Sequence, residues 1–207
     1  MRLPEPPLLL VTDRRRARGN ILDIAAAAFA AGCRWVSLRE KDLPQAEQAE
    51  LLCALVSLSR PFQAKVTLHG DPKLARDAGA DGVHLAAGSD AAARRLLGND
   101  ALIGISIHSA DEGRNVDPAL VDYVIAGAVF ETASKPGYGP ALGPEELALI
   151  VKVSLVPVIA IGGITPETIP DCLAAGASGI AVMGGIMRSS DPGKEIGNLL
   201  AVYPRPR

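Results

Sequence analysis

The stretch Pro157–Ile186, PVIAIGGITPETIPDCLAAGASGIAVMGGI, decides the fold because it contains the same short unit twice. The apolar runs Val158–Ile161 and Gly179–Met183 are typical of strands that are buried on both faces of a parallel sheet. Between them, Pro166 and the apolar residues that follow it predict a helix, with Thr165 as its N-cap. A strand, a helix and a second strand in this order predict a βαβ unit.

Each predicted strand of this unit ends in a pair of glycines, Gly162-Gly163 and Gly184-Gly185. Glycine has no side chain, so its backbone N–H groups can approach and cradle a phosphate at the edge of the sheet. The glycines also permit tight turns, but their recurrence at equivalent points favours a binding role. The pattern therefore predicts a phosphate-binding nest built from these four residues.

Composition limits the class of protein. The 207 residues are 48% hydrophobic and 21% charged, with a formal net charge of −2, which is typical of one globular domain with a large core. This balance and the 3% aromatic content argue against a nucleic-acid-binding surface. No apolar run is long enough to cross a membrane, and Met1–Pro4 opens no signal peptide. We expect a cytoplasmic protein without nucleic-acid or membrane partners.

The three cysteines, Cys33, Cys53 and Cys172, are widely spaced and lie in helical or apolar segments. Their spacing matches neither a metal site nor a redox motif. We expect all three to be buried thiols in a reducing compartment.

The rest of the chain repeats the alternation of strand and helix. The other predicted strands are Leu8–Thr12, Trp35–Leu38, Ala64–Leu68, Gly82–Leu85, Leu102–Ile107 and Tyr123–Gly127. The other predicted helices are Ile21–Ala31, Leu43–Leu58, Pro72–Ala78, Asp90–Leu97, Ala110–Leu120, Pro144–Val153 and Lys194–Val202. Eight units with polar residues at nearly every strand end favour an α/β fold, a single (β/α)8 TIM barrel, over an open sheet. We expect one domain over residues 1–207.

Two cations follow the second predicted strand. Arg39 and Lys41 are two residues apart, so they point the same way if the strand geometry continues. Two cations on one rim suit an anion larger than a single phosphate. A surface salt bridge with Glu40 or Asp42 is the alternative.

A third cation lies in the segment 131–143, whose Gly and Pro content predicts a mobile loop over the barrel mouth. Lys135 stands there beside the hydroxyl groups of Thr132 and Ser134. We interpret these three residues as a further anion-binding group.

The histidines are candidates for acid–base chemistry. His69 ends the third predicted strand and is positioned to face the mouth, whereas His84 lies inside an apolar run and is predicted to be a core histidine. His108 and Ser106 share one side of the fifth strand, where a histidine is either a structural hydrogen-bonding residue or an acid or base.

Asp71 and Asp90 are the carboxylates near the predicted mouth that could hold Mg²⁺, a metal that binds few carboxylates together with phosphate oxygens. Each residue directly precedes or begins a predicted helix, so each is equally a candidate helix cap.

Seven segments of the chain stand out by their order and spacing: LLLVTDR, VSLREKD, GADGVHL, IGISIHS, DYVIAGAVFETASKPG, PVIAIGGIT and GASGIAVMGGI. Together they resemble the thiamin phosphate synthase / TenI superfamily over nearly the whole chain. The resemblance implies a TIM barrel and often a homo-oligomer. Synthases of this family couple a pyrimidine pyrophosphate to a thiazole phosphate with Mg²⁺ and release pyrophosphate. TenI-type relatives isomerise a thiazole phosphate carboxylate by proton transfer.

The resemblance also implies roles for individual residues. Ser106 matches the family's fifth-strand serine. Arg39 and Lys41 match the cations that bind the pyrophosphate. The sixth-loop residues that match the family's anion-binding group are Thr132, Ser134 and Lys135. The nest for the thiazole phosphate is matched by Gly163, Gly184 and Gly185.

The chain departs from both branches of the family. Ser37 stands where synthases have Gln, and His69-Gly70 stands in place of their Asn-Asp pair. Ser89 replaces the second metal carboxylate, so that Asp71 and Asp90 each lie one position late. The histidine that the tautomerases carry before the FET motif is Ala128 here.

The departures from the synthase pattern at His69-Gly70 and Ser89, together with the FET motif, resemble the TenI branch, whereas Ala128 departs from it. The first hypothesis is a TenI-like enzyme that acts on thiazole phosphate or its carboxylate, without a cofactor and with His69 or His108 as the acid or base. A functional synthase with Mg²⁺ is the second hypothesis. A non-catalytic regulator that binds a thiazole or thiamin phosphate is the third. Another phosphate-binding barrel isomerase is the last, because only Asp13 fits the acid–base pair which that class carries.

Overall fold

The computed structural model describes residues 3–86, 88, 90–132 and 141–203. The strands within these ranges are β1 Leu8–Val11, β2 Trp35–Leu38, β3 Lys65–Leu68, β4 Gly82–Leu85, β5 Leu102–Ile107, β6 Tyr123–Gly127, β7 Val158–Ile161 and β8 Gly179–Val182. The helices are α1 Ile21–Ala30, α2 Gln45–Ser59, α3 Pro72–Asp77, α4 Asp90–Leu97, α5 Ala110–Arg114, α6 Gly143–Val153, α7 Ile169–Ala174, α8 Gly184–Met187 and α9 Pro192–Val202.

The strands form one closed sheet in the order β1 to β8, and the recorded strand pairs are parallel. The predicted (β/α)8 TIM barrel is therefore confirmed. Short strands with buried residues on both faces explain why the sequence shows continuous apolar runs and no alternation of apolar and polar residues.

The chain divides into two compact units. One comprises His84–Ala181, and the other comprises the flanking segments, up to Val83 and from Val182. The prediction of a single domain over residues 1–207 stays a prediction. No described helix has the length and apolar character that are needed to cross a membrane.

In the unit of flanking segments, β1 is completely buried and carries the core. Its four apolar residues are at most 1% exposed. In the same unit, the Phe29 ring of α1 stacks on Phe62 with 5.7 Å between ring centroids. The Tyr203 hydroxyl, just after α9, donates a hydrogen bond to the Pro7 carbonyl at 3.1 Å and so ties the end of that helix to the residue before β1.

In the unit His84–Ala181, the ring of Tyr123 fills the space that a side chain at Gly104 would occupy. Gly104 of β5 pairs in register with Tyr123 of β6, and Tyr123 is completely buried. A Cβ atom at position 104 would overlap the Tyr123 ring. Glycine at this position therefore gives the ring its space.

Two predicted helices were wrong at one end. The helix expected to begin at Pro166 begins at Ile169, because Thr165 and Thr168 first close a turn in which the Thr168 hydroxyl oxygen accepts from the Thr165 N–H at 2.9 Å. The helix expected to reach Leu120 ends at Arg114, and Asn115 caps it. Short polar side chains near these ends form local hydrogen bonds that compete with helix formation.

The cysteine prediction was right for two residues and wrong for the third. Cys33 and Cys172 are buried, and burial raises the pKa of the Cys33 thiol to about 11. Cys53 is exposed on α2. The apolar run that contains it extends around the helix, so that some of its residues lie on the solvent-facing side.

We expect Gly104→Ala to lower the free energy of unfolding by about 1–3 kcal/mol, since the new methyl group must displace a buried ring. Chemical denaturation of the variant measures this change. Gly113→Ala is the matched control, because a Cβ atom there meets its nearest neighbour, Ile107, at an ordinary 3.5 Å. Equal stability of Gly104→Ala and the unsubstituted protein would contradict the packing described here.

We expect one of the three thiols to react with a disulfide reagent at pH 8 in the folded protein. With a pKa of about 11, only about one Cys33 thiol in a thousand is a thiolate at pH 8, and the side chain is also inaccessible. Cys53 should react readily, and a Cys53→Ser variant should react only after denaturation. Fast labelling of that variant in its folded state would refute the assignment.

Candidate functional site

A buried carboxylate lies just beyond the end of β2. Glu40 is 2% exposed, and it accepts a hydrogen bond from the Thr12 hydroxyl at 2.7 Å. The backbone N–H of Arg14 donates to both of its oxygens, at 3.0 and 3.1 Å. Glu40 therefore joins the loops that follow β1 and β2. From the sequence alone, Glu40 was predicted only as a candidate surface ion-pair partner of Arg39 or Lys41.

The acidic residues of this loop pair with Arg14, which lies in the loop after β1. The guanidinium of Arg14 lies 2.7 Å from Asp42 and 3.6 Å from Glu40. The hydrogen bond from Arg14 lowers the pKa of the Asp42 carboxyl, and the same bond raises the pKa of Arg14. No ion pair recorded among the described residues joins Arg39 or Lys41 to these acids, so the alternative of a salt bridge with Glu40 or Asp42 is not what the structure shows.

Lys41 lines a pocket of about 520 Å³ in the same unit, together with residues of the loops after β2 and β3 and of the helices α2 and α3. The lining residues are Lys41, Leu43, Gln45, Gln48, His69, Gly70, Asp71 and Leu74. The structure thus brings the predicted cation and the predicted acid–base histidine together. Arg39 is outside this described lining, because β2 ends at Leu38 and the strand geometry that would align the two cations does not continue.

His69 is the buried member of this pocket. It follows the last residue of β3 and is 8% exposed. Its backbone N–H donates a hydrogen bond to the Leu38 carbonyl at 2.8 Å. Lys41, in contrast, is exposed. A histidine that is shielded from solvent beside a lysine suits proton transfer on an anionic substrate.

Asp71 uses its carboxylate as a helix cap. One oxygen accepts from the Lys73 N–H at 2.8 Å and the other from the Gln45 side-chain amide at 3.3 Å. Asp90 is the first residue of α4, in the other unit. Among the described residues, no group of three or more His, Cys, Asp or Glu side chains is arranged to hold a metal ion. The Mg²⁺ ligands stay a prediction.

Ser106 belongs to a chain of hydrogen-bonding side chains in the unit His84–Ala181. Its hydroxyl lies 2.9 Å from Nε2 of His84, and Nδ1 of His84 lies 3.3 Å from the Tyr123 hydroxyl. His84 is 4% exposed, so the prediction of a satisfied core histidine is confirmed. His84 and Tyr123 were not predicted as neighbours of Ser106, because the three residues lie on three different strands, β4, β5 and β6.

His108 has a different environment from Ser106, although both were predicted to share one side of β5. The strand ends at Ile107, and the His108 ring lies 3.4 Å from Glu112 with nearly half of its side chain exposed. The Glu112 carboxylate also accepts a hydrogen bond from the backbone N–H of His108 at 2.7 Å. This arrangement is that of a helix-start residue, since α5 begins two positions later.

The two glycine pairs differ in conformation. Gly162 and Gly163 have φ values of 98° and 65°, which side chains rarely adopt, whereas Gly184 and Gly185 lie in the first turn of α8. A Cβ atom at Gly163 would lie 2.6 Å from that of Phe130, whereas one at Gly185 would meet nothing within 4 Å. The expectation that both pairs form the same kind of turn was wrong. A nest shared by all four glycines would join residues of both units, and it stays a prediction.

The sixth-loop prediction is described only in part. Thr132 is half-buried, and Ser134 and Lys135 lie outside the described residues, as does most of the predicted loop 131–143. The far end of that loop is fixed, because the N–H groups of Leu142 and Gly143 donate to the carbonyls of Ala128 and Val129 at 2.9 Å.

Residues 8–186 match the family model described as thiamine monophosphate synthase. The chain belongs to the thiamine monophosphate synthase (TMP-TENI) family. This confirms the resemblance that was found in the sequence and assigns the chain to a family of thiamin biosynthesis.

Two relatives and one solved structure indicate how close the similarity is. A putative thiamine-phosphate synthase of Geobacter sulfurreducens is 41% identical over 95% of this chain and 94% of its own length. A thiamine-phosphate synthase of Moorella thermoacetica is 32% identical over 99% of both chains. The structure of thiamine phosphate pyrophosphorylase from Pyrococcus furiosus superimposes with a TM-score of 0.84 at 29% identity, covering 94% of each chain.

We expect Asp71→Ala to lower the free energy of unfolding by about 1 kcal/mol, because α3 loses its N-cap. Asp71→Asn should stay within a few tenths of a kcal/mol of the unsubstituted protein, since asparagine caps helices equally well. Chemical denaturation measures both variants. Equal stability of Asp71→Ala and the unsubstituted protein would show that the cap is dispensable and the carboxylate is available for another role.

Proposed function

We propose that this chain is a TenI-like enzyme of thiamin biosynthesis. Its proposed substrate is thiazole phosphate carboxylate, which it isomerises by proton transfer. The observation that carries the proposal is the pocket in which His69 and Lys41 both take part. Membership of the family supports the pathway, and the residues of this pocket support the type of reaction.

His69 is the proposed acid–base group. Histidine is the side chain whose ordinary pKa lies closest to neutral pH, so it exchanges protons readily under physiological conditions. Isomerisation removes a proton from one atom and returns it at another, so it needs no co-reactant. Lys41 supplies positive charge where negative charge develops as the substrate loses its proton. Ser106 is a separate candidate in the unit His84–Ala181, where its hydroxyl lies 2.9 Å from Nε2 of His84.

Each glycine pair is a candidate for binding the phosphate of the substrate through its own backbone N–H groups. The left-handed conformation of Gly162 and Gly163 is typical of a backbone nest that binds anions. Gly184 and Gly185 begin α8, so their N–H groups have no partner within the helix. Thr132, Ser134 and Lys135 complete the proposal as groups that the family resemblance implies.

Two features of the chain favour proton transfer over the coupling reaction. Gly70 occupies a position at which the family's synthases carry a metal-binding aspartate, and the neighbouring Asp71 caps α3 with its carboxylate. If Mg²⁺ binds, Asp71 or Asp90 is its proposed ligand, and the ion would supply charge for the release of pyrophosphate.

Coupling of a pyrimidine pyrophosphate to thiazole phosphate is the second candidate. The names of the Geobacter and Moorella relatives support it, since both are called thiamine-phosphate synthases. Arg39 and Lys41 would then hold the pyrophosphate, and the reaction would depend on Mg²⁺.

The decisive experiment compares both reactions on the purified protein. Thiazole phosphate carboxylate is followed by NMR for isomerisation, and thiazole phosphate with the pyrimidine pyrophosphate is followed for thiamin phosphate, each with Mg²⁺ or with a chelator. We expect isomerisation that the chelator does not reduce. His69→Asn should lower kcat by about 100-fold or more, because the proton acceptor is lost.

His108→Asn is the comparison variant, because an equal loss there would move the acid–base role to the exposed histidine. Formation of thiamin phosphate that requires Mg²⁺, without isomerisation, would refute the proposal in favour of the synthase. Tight binding of thiazole phosphate without either reaction would support the regulator.

A further inference from the structure

Glu40 is the one buried residue between two cations. Arg39 is half-buried and Lys41 is exposed, whereas the side chain of Glu40 is only 1% exposed. The direction of the Glu40 side chain therefore differs from that of Lys41, which lines the pocket with His69. The way in which Glu40 is held determines how the segment presents its lysine.

Thr12 links Glu40 to the backbone of Arg39. The Thr12 hydroxyl donates a hydrogen bond to the Glu40 carboxylate at 2.7 Å and accepts one from the backbone N–H of Arg39 at 2.9 Å. These two hydrogen bonds fix the orientation of the hydroxyl. Thr12 itself is anchored, since its N–H donates to the Ser37 carbonyl at 3.0 Å. One hydroxyl group on the end of β1 thus holds the residues on either side of the Arg39–Glu40 peptide bond.

Glu40 is also held from its other side. The backbone N–H of Arg14 donates to both carboxylate oxygens. The backbone N–H of Leu43 donates to the Glu40 carbonyl at 3.0 Å. Lys41 lies within the turn that this last bond closes. The backbone on both sides of Lys41 is therefore fixed through Glu40.

Stability alone does not explain a carboxylate at this position. A buried charge loses its hydration, and well-packed apolar residues often replace buried ionic groups without loss of stability. The nearest cation, Arg14, is 3.6 Å away and makes its shorter contact, 2.7 Å, with Asp42. What the carboxylate does provide is direction, because it accepts three hydrogen bonds from two fixed donors.

We propose that Glu40 is a positioning residue: through Thr12 and Arg14 it holds the end of β2 against the end of β1, and so sets Lys41 at the pocket to bind an anion. This inference rests on the proposed anion-binding role of Lys41. It adds a residue that acts through Lys41 without contacting the substrate.

The test uses inorganic pyrophosphate as the probe and calorimetric titration as the measurement. Thr12→Val removes the hydroxyl with little change of shape, and Thr12→Ser keeps it. We expect Thr12→Val and Glu40→Gln to weaken pyrophosphate binding about 10-fold, a typical effect of removing a residue that orients a binding group. Thr12→Ser should bind nearly as well as the unsubstituted protein.

The same substitutions are repeated in a Lys41→Ala background. If Glu40 acts through Lys41, then Thr12→Val and Glu40→Gln should cause no further loss there. Glu50→Gln, which removes an exposed acid of α2, is the charge control. Thermal unfolding identifies any variant that fails to fold, and the Thr12 pair decides the question if the Glu40 variant does fail.

Unchanged affinity in Thr12→Val and Glu40→Gln would overturn the inference, and so would an equal further loss in the Lys41→Ala background. Failure of the unsubstituted protein to bind pyrophosphate would also overturn it, since Lys41 would then hold no anion. Failure of the proposed function is a separate result, because it appears as missing isomerisation even where pyrophosphate binds.

Discussion

The closed parallel sheet is the constraint on which the rest of this structure depends. Its strands are four to six residues long and almost completely buried, so their side chains contribute little chemistry beyond packing. The polar groups that are proposed for function stand mostly just past the strand ends, as His69 and Lys41 do, whereas Ser106 lies within β5. Parallel pairing places all these ends on one side of the barrel.

Several polar side chains are nevertheless buried within the strands, and each has partners. The Thr67 hydroxyl donates to Ser37 at 2.8 Å, and Ser37 donates to the Thr67 carbonyl at 3.3 Å. His84 lies between two hydroxyl groups in the same way. Burying such groups without hydrogen bonds would cost roughly 1–3 kcal/mol each. Their pairing makes the interior specific as well as stable.

The family assignment and the geometry support different levels of the functional conclusion. The match over residues 8–186 assigns the chain to the thiamine monophosphate synthase family. The proposed reaction rests on a few residues, among them Asp71, whose carboxylate caps α3. A carboxylate that caps a helix already has hydrogen-bond donors at both of its oxygens, so binding a metal would require it to exchange them.

The sequence by itself determined the barrel, the order of its elements and most of their ends, because buried parallel strands and helix caps leave local patterns. It also identified Lys41 and His69 as residues at strand ends. Only the tertiary structure decided which polar groups meet. Thr12 contacts Glu40 across 28 positions, and His84 contacts Ser106 across 22. Such contacts depend on strand register and on side-chain direction, which local sequence patterns do not encode.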